Sequence, residues 1–199
     1  MNHAADPLSD VPDEALVVLY ARGDRLAART LTLRLMPRLL GYAGRLLGGD
    51  RAEAEDVTQE AMMRLWRMAP DWRQGEARVS TWAYRVVTNL CTDRMRARRR
   101  RGGAETIGDH PELASATPGV EAQMIAADRM AALQAALAAL PERQREAVVL
   151  RHIEGLANPE IALILEIGVE AVESLTARGK RTLTALLAGQ RAELVEGEG

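Results

Sequence analysis

Phenylalanine is absent from the 199-residue chain, and aromatic residues amount to 3% (three Trp, three Tyr), so any core must be built from Leu, Ala, Val, Ile and Met. A single cysteine, Cys91, excludes an internal disulfide and any thiolate cluster for zinc or iron and sulfur, which fits a reducing compartment. The three histidines, His3, His110 and His152, are too scattered to form a ligand set. No Ser/His/Asp arrangement and no glycine-rich phosphate loop is present. The expectation is therefore a protein that carries no metal and no cofactor, takes no small-molecule substrate and is not an enzyme. No stretch approaches the roughly 20 apolar residues that span a bilayer. Residues 1–13 are acidic and lack the basic start and apolar run of a signal peptide, so the expected location is cytoplasmic.

What the chain has in quantity is arginine, leucine and alanine with apolar residues at helical spacing, and no useful length alternates with strand period. The expected fold class is all-α: two small helical domains joined by a flexible linker. The first spans residues 13–101, with breaks at Gly23-Asp24, at Gly48-Gly49-Asp50 and around residues 70–75. Residues 102–120 are rich in Gly, Pro, Ser and Thr and contain no base, as a linker would. The second domain spans residues 121–191, with Pro141 at a helix start and turns at Gly155 and Gly168; an acidic tail that frays follows from Glu193.

The formal net charge of −2 conceals an asymmetry. Residues 1–101 hold 18 Arg against 13 acids, net +5, and residues 102–199 hold 8 Lys and Arg against 15 acids, net −7. A locally basic half marks either a polyanion site or scattered surface charge.

In the first half, Asp50 is placed to cap a helix with Glu53 three residues on, and Val57, Ala61, Leu65 and Met68 share a face that should be buried. The opposite face, with Glu53, Asp56, Glu60, Met63, Arg64 and Arg67, reads by periodicity alone as solvated surface. A second helix should begin at Ser80 as N-cap, with Trp82, Val86 and Leu90 on its apolar stripe. Its other side aligns Arg85, Asn89, Thr92 and Arg96, whose guanidinium, amide and hydroxyl groups suit phosphates and base edges. Six arginines between positions 94 and 101, including Arg98 and Arg99, repel one another, and a phosphate backbone would relieve that repulsion. An anionic membrane surface and a merely solvated basic end are the alternatives. Trp82 is balanced between a core position and stacking on an unpaired base.

In the second half, Asn158 as N-cap and Pro159 as first residue should open a short helix, which breaks at Glu166-Ile167-Gly168 before another from Val169. This is a helix-turn-helix outline, with Val172 and Leu183 inward. Ser174, Arg178 and Arg181 form an outward stripe with Lys180 nearby, opposed by Glu170 and Glu173.

Three segments in order, AEAEDVTQEAMMRLWR (residues 52–67), STWAYRVVTNLCTDRMR (80–96) and ALPERQREAVVLRHIEGLANPEIALILEIGVEAVESL (139–175), resemble regions 2.2, 2.3 to 2.4 and 4 of extracytoplasmic-function RNA polymerase sigma factors. The resemblance implies that Asp56, Gln59, Glu60 and Arg64 dock on the clamp helices of the polymerase's largest subunit, with the second domain near its flap. It implies that the loop of residues 72–80 and the helix carrying Arg85 and Asn89 capture a base flipped from the nontemplate strand of the minus-ten element, and that an anti-sigma factor is a partner. In the recognition helix the family's basic-Ser-Arg-apolar pattern after the valine is replaced by Glu173, Ser174, Leu175 and Thr176 after Val172. That departure implies either an altered minus-thirty-five element, read by Ser174, Arg178, Lys180 and Arg181, or a weaker dependence on one. Two rivals stay open: a helix-turn-helix regulator that binds duplex DNA without polymerase, which needs no Asp56, Gln59, Glu60 face, and an interaction protein that occupies polymerase without reading promoters.

Overall fold

The computed structural model describes residues 7–73, 75, 78–102 and 120–196; every regular element among them is helical, and the all-α expectation holds. Helices α1 (Asp13–Ala21), α2 (Arg25–Leu46), α3 (Arg51–Met68) and α4 (Val79–Arg100) form one packed group. The other comprises α5 (Val120–Ala138), α6 (Glu142–Val148), α7 (Asn158–Leu165) and α8 (Val169–Glu196). The breaks fall where glycine, proline and capping residues interrupt the helical pattern. Asp24 caps α2 by accepting from the Leu26 and Ala27 amides at 2.8 and 3.1 Å, and a short 3-10 turn at Ala69–Asp71 closes α3. The expected linker lies almost wholly outside the described residues. Helix α8 continues to Glu196, into the acidic segment expected to fray, and the rest of that segment lies outside the described residues.

Asp50 caps α3 as its spacing predicts, its Oδ1 accepting from the Glu53 amide at 3.0 Å. That amide and the Arg98 guanidinium hold the Asp50 carboxyl below the usual carboxylate range. A depressed folded-state pKa means that the contribution is present at neutral pH and is lost on acidification through that value. Asp50→Ala should cost about 1 kcal/mol, read as a lowered urea midpoint with unchanged slope, and Asp50→Asn should retain most of it.

Leucines of α2 carry much of the first group's core: Leu31, Leu35, Leu39 and Leu46 are at most 2% exposed, and burial of each contributes roughly 1.5–3 kcal/mol. Against them lie Val57, Ala61 and Leu65 of α3, as expected, with Met68 only half-buried. A second row on α3, Ala54, Thr58 and Met62, is buried as well. The stripe expected on α4 needs correction. Trp82, Val86 and Leu90 are half-buried, whereas Val79, Thr81, Ala83, Tyr84, Val87, Thr88 and Cys91 are the buried residues. The cause is that α4 is covered on two sides, by α2 and α3 within its own group and by α7 of the other. One contiguous apolar core therefore runs from Leu16 to Val172 across both groups.

Candidate nucleic-acid and polymerase interfaces

Helix α4 starts one residue before the expected cap. Glu14 of α1 reaches across to accept the Val79 amide at 3.1 Å, so a carboxylate 65 positions away does the work assigned to Ser80 and Arg78 is the N-cap residue. Further along, Tyr84 packs edge-to-face on Tyr42 with ring centroids 5.2 Å apart, and the Tyr42 hydroxyl hydrogen-bonds to Thr88 Oγ1 at 2.9 Å. Burial pushes the Cys91 thiol up to about 12, so it is inert at neutral pH.

The polar side of α4 divides into three. One part faces α3: Arg98 pairs with Asp50 and, at 3.2 Å, with Glu53, while Arg94 lies 4.0 Å from Glu53 and from Asp56. Arg98, expected at phosphate, is thus held by the protein itself. A second part, Asn89 and Arg96, is exposed. The third is a row at seven-residue spacing, which keeps one face of a helix: Arg78, Arg85, Thr92 and Arg99. Every member meets a carboxylate of the second group. Arg78 contacts Glu160 at 2.9 Å, Arg85 contacts Glu166 at 3.1 Å, Thr92 Oγ1 donates to Glu146 at 3.3 Å and Arg99 contacts Glu142 at 2.8 Å. Beside the row, the Tyr84 hydroxyl donates to Glu154. Glu146 is 1% exposed, and loss of hydration pushes its pKa up against the opposing Arg143 guanidinium 3.1 Å away. The three arginine pairs sit at least partly in solvent, where each is worth about 0–1 kcal/mol.

On α3, Asp56, Gln59 and Arg64 are exposed and Glu60 is half-exposed. Arg64 Nε donates to Glu60 Oε1 at 2.8 Å, which holds the Glu60 carboxyl below its usual range. With Met63 at 55% exposed, the four expected residues form a largely exposed polar face, bordered by Arg94 of α4, 4.0 Å from Asp56.

In the second group, α7 and α8 have helix-turn-helix order. The capping differs from expectation: Asn158 is the first helical residue and Ala157 the N-cap, and Glu160 Oε2 accepts the Ala157 amide at 3.0 Å. Asn158 instead aims its amide at Glu173, 3.5 Å away. The turn is made by Glu166 in the left-handed conformation, φ 55°, which Gly or Asn adopts more readily. On α8, Val172 is buried and Leu183 half-buried, while Ser174, Arg178, Lys180 and Arg181 are exposed, as are Glu170 and Glu173. Gly179 is where α8 crosses α6: a Cβ there would lie 2.6 Å from Val148 Cγ2 and 3.2 Å from the Gln144 carbonyl oxygen.

Residues 31–101 match the family model of Sigma-70 region 2, and residues 130–183 that of Sigma-70, region 4. The chain belongs to the extracytoplasmic-function RNA polymerase sigma factors. Among its relatives, NccH of Alcaligenes xylosoxydans xylosoxydans is 33% identical over 178 residues, covering 88% of this chain and 94% of that protein. SigE of Mycolicibacterium smegmatis is 35% identical over 192 residues, covering 94% and 73%. The structure of CnrH in complex with the cytosolic domain of CnrY superposes with a TM-score of 0.65 at 25% identity, covering 89% of this chain and 97% of that one.

In this sigma factor, α3 and α4 lie within the region 2 match, and α7 with the exposed α8 residues lies within the region 4 match. The residues that sequence reasoning missed are the carboxylates facing α4, namely Glu142, Glu146, Glu154, Glu160 and Glu166, together with Arg78 and Gly179. The charge asymmetry between the halves was the available signal for the first set; nothing local marks the last two.

Proposed function

We propose that the chain brings core RNA polymerase to promoters through the Asp56, Gln59, Glu60 and Arg64 face of α3, and opens DNA with α4. In this proposal residues 13–101 act as the polymerase-binding and melting unit, 102–120 as linker and 121–191 as the upstream-reading unit. The observation that carries it is the exposed pair Asn89 and Arg96 beside Arg85, on the helix that falls in the region 2 match. Capture of an unpaired base offsets unstacking and unpairing costs of a few kcal/mol, so melting requires binding energy and no bond-making step. Trp82, half-buried, serves the core with one side and offers the other to a base; Arg96 meets phosphate, and Thr92, Arg98 and Arg99 join it once their carboxylate partners are displaced.

Core polymerase, through its clamp helices and flap, and promoter DNA are the partners this reading requires. An anti-sigma protein is a third, in keeping with CnrH, whose structure contains the cytosolic domain of CnrY. Ser174, Arg178, Lys180 and Arg181 are the upstream contacts, and exposed Glu170 and Glu173 repel phosphate beside them, so the minus-thirty-five element is altered or matters less.

Asn89→Ala separates melting from docking. It should leave core binding unchanged and lower the open-complex yield about tenfold, the worth of one good base contact, read by permanganate reactivity of unpaired thymines. Equal yields from variant and parent would remove Asn89 from base capture. A second reading, a regulator that binds duplex DNA alone, is favoured only by the intact α7–α8 pair, and it leaves the charged α3 face without a use.

A further inference from the structure

Helix α8 turns one side to the body of the second group and the other away from it. Val172 is buried and Gly179 lies against α6, while the far side exposes Glu170, Ser174, Arg178 and Arg181, with Glu173 and Lys180 at its flanks. The charges on that side are sorted along the axis. Glu170, Glu173 and Ser174 occupy the first two turns, and Arg178, Lys180 and Arg181 follow them. In a helix-turn-helix the N-terminal turns of the second helix meet base edges in the major groove. Here that end offers acceptors, and the cations that suit phosphates come after it.

The two carboxylates are held differently. Glu170 folds back over the turn: a Cβ at Gly168 would lie 3.2 Å from Glu170 Oε2, so this carboxylate sits at the helix N-terminus, where the peptide dipoles favour negative charge. Glu173 stands one turn later and is exposed. No ion pair joins it among the described residues, and its contact is with a neutral group, the Asn158 amide of α7 at 3.5 Å.

We propose that Glu173 sets base specificity in the upstream element: its carboxylate accepts a hydrogen bond from the 4-amino group of a cytosine in the major groove. The proposal rests on the sigma reading, with α8 as the upstream-reading helix, and it selects an altered element over a dispensable one. A carboxylate can only accept, and two bases carry donors in the major groove. Adenine sets its 6-amino group beside N7, an acceptor that repels a carboxylate, whereas cytosine has no acceptor on its own major-groove edge. Guanine and thymine offer no donor there, so each would leave the carboxylate desolvated and unpaired. Phosphate repulsion acts in the same direction. It keeps Glu173 off the strand backbone and over the base edges, while Arg178, Lys180 and Arg181 hold the flanking phosphates.

The test uses the full chain with core RNA polymerase and a promoter mapped on genomic fragments, with its upstream base pairs randomised. Heparin-resistant complexes are captured and their DNA is sequenced. The parent should enrich cytosine at one upstream position about tenfold over the other bases. Glu173→Gln should move the preference at that position to adenine, read through N6 and N7, and Glu173→Arg should move it to guanine, read through O6 and N7. Glu170→Gln should keep the parental profile. A change of base identity confined to one position is a result that loss of folding or of phosphate affinity does not produce. Absence of a cytosine preference in the parent, Glu173 variants that keep the parental base, or a shift caused by Glu170→Gln instead would each overturn the proposal. If the sigma reading itself failed, no start would depend on the chain and no heparin-resistant complex would form, a result distinct from complexes that form without an upstream base preference.

Discussion

Replacing Gly179 with alanine is expected to destabilise the second helical group by about 1–3 kcal/mol, although alanine is the better helix former. In a solvent-facing helix the exchange gains roughly 0.5–1 kcal/mol through lower unfolded-state entropy and better propensity. At position 179 the added methyl would sit 2.6 Å from Val148 Cγ2, 3.2 Å from the Gln144 carbonyl oxygen and 3.3 Å from Gln144 Cβ. Val148 is itself 2% exposed and cannot turn away into solvent, so α8 must lift from α6. Gly189, in the same helix with nothing within 4 Å of a Cβ, supplies the internal comparison, and Gly189→Ala should be neutral or stabilising. Urea unfolding of the three proteins, monitored by far-ultraviolet circular dichroism, gives the answer. Equal shifts at the two positions would show that α6 and α8 do not approach as closely as described.

Reversal of the α3 face should have a comparably large effect on assembly while leaving the fold intact. Asp56→Arg with Glu60→Arg changes an exposed and a half-exposed side chain, neither of which caps a helix or fills the core. The second substitution also replaces the Glu60–Arg64 pair by like charges at i and i+4, at a cost of only about 0.2–0.5 kcal/mol. Against a polymerase surface that accepts carboxylates, loss of attraction and added repulsion together amount to several kcal/mol, so core affinity should fall by about 100-fold or more. Gel filtration or anisotropy with core polymerase reads this, with the thermal midpoint as a check on folding. Retained affinity at an unchanged midpoint would move the docking site off α3.

The parts of the structure that a local pattern controls were legible in the sequence. Asp50 caps where a carboxylate precedes a helical run, the chain breaks at Gly23-Asp24, Pro141 stands at the start of α6, and Gly168 precedes α8. The two misplaced caps share a physical cause. Glu14 and Glu160 are carboxylates that bond the backbone at a helix start, so neither Ser80 nor Asn158 was needed as N-cap. The inward stripe of α4 was misread because periodicity assumes one buried face, while packing by α2, α3 and α7 buries two. The exposure of Asp56, Asn89, Ser174 and Arg178 followed directly from helical phase, while Gln59 entered only through the family resemblance. The charge imbalance between halves was visible as well, but composition cannot tell an arginine waiting for phosphate from one already paired. Arg78, Arg85, Arg98 and Arg99 all proved paired within the chain.

The most direct measurement of the central claim is multiple-round transcription by core RNA polymerase on fragments of the source bacterium's genome, with and without the purified chain, with transcript 5′ ends mapped. A set of discrete starts that appears only when the chain is added, and that shrinks with Asn89→Ala, is the predicted result. Tight binding of the chain to duplex fragments in the absence of core, with no new start in its presence, would contradict it.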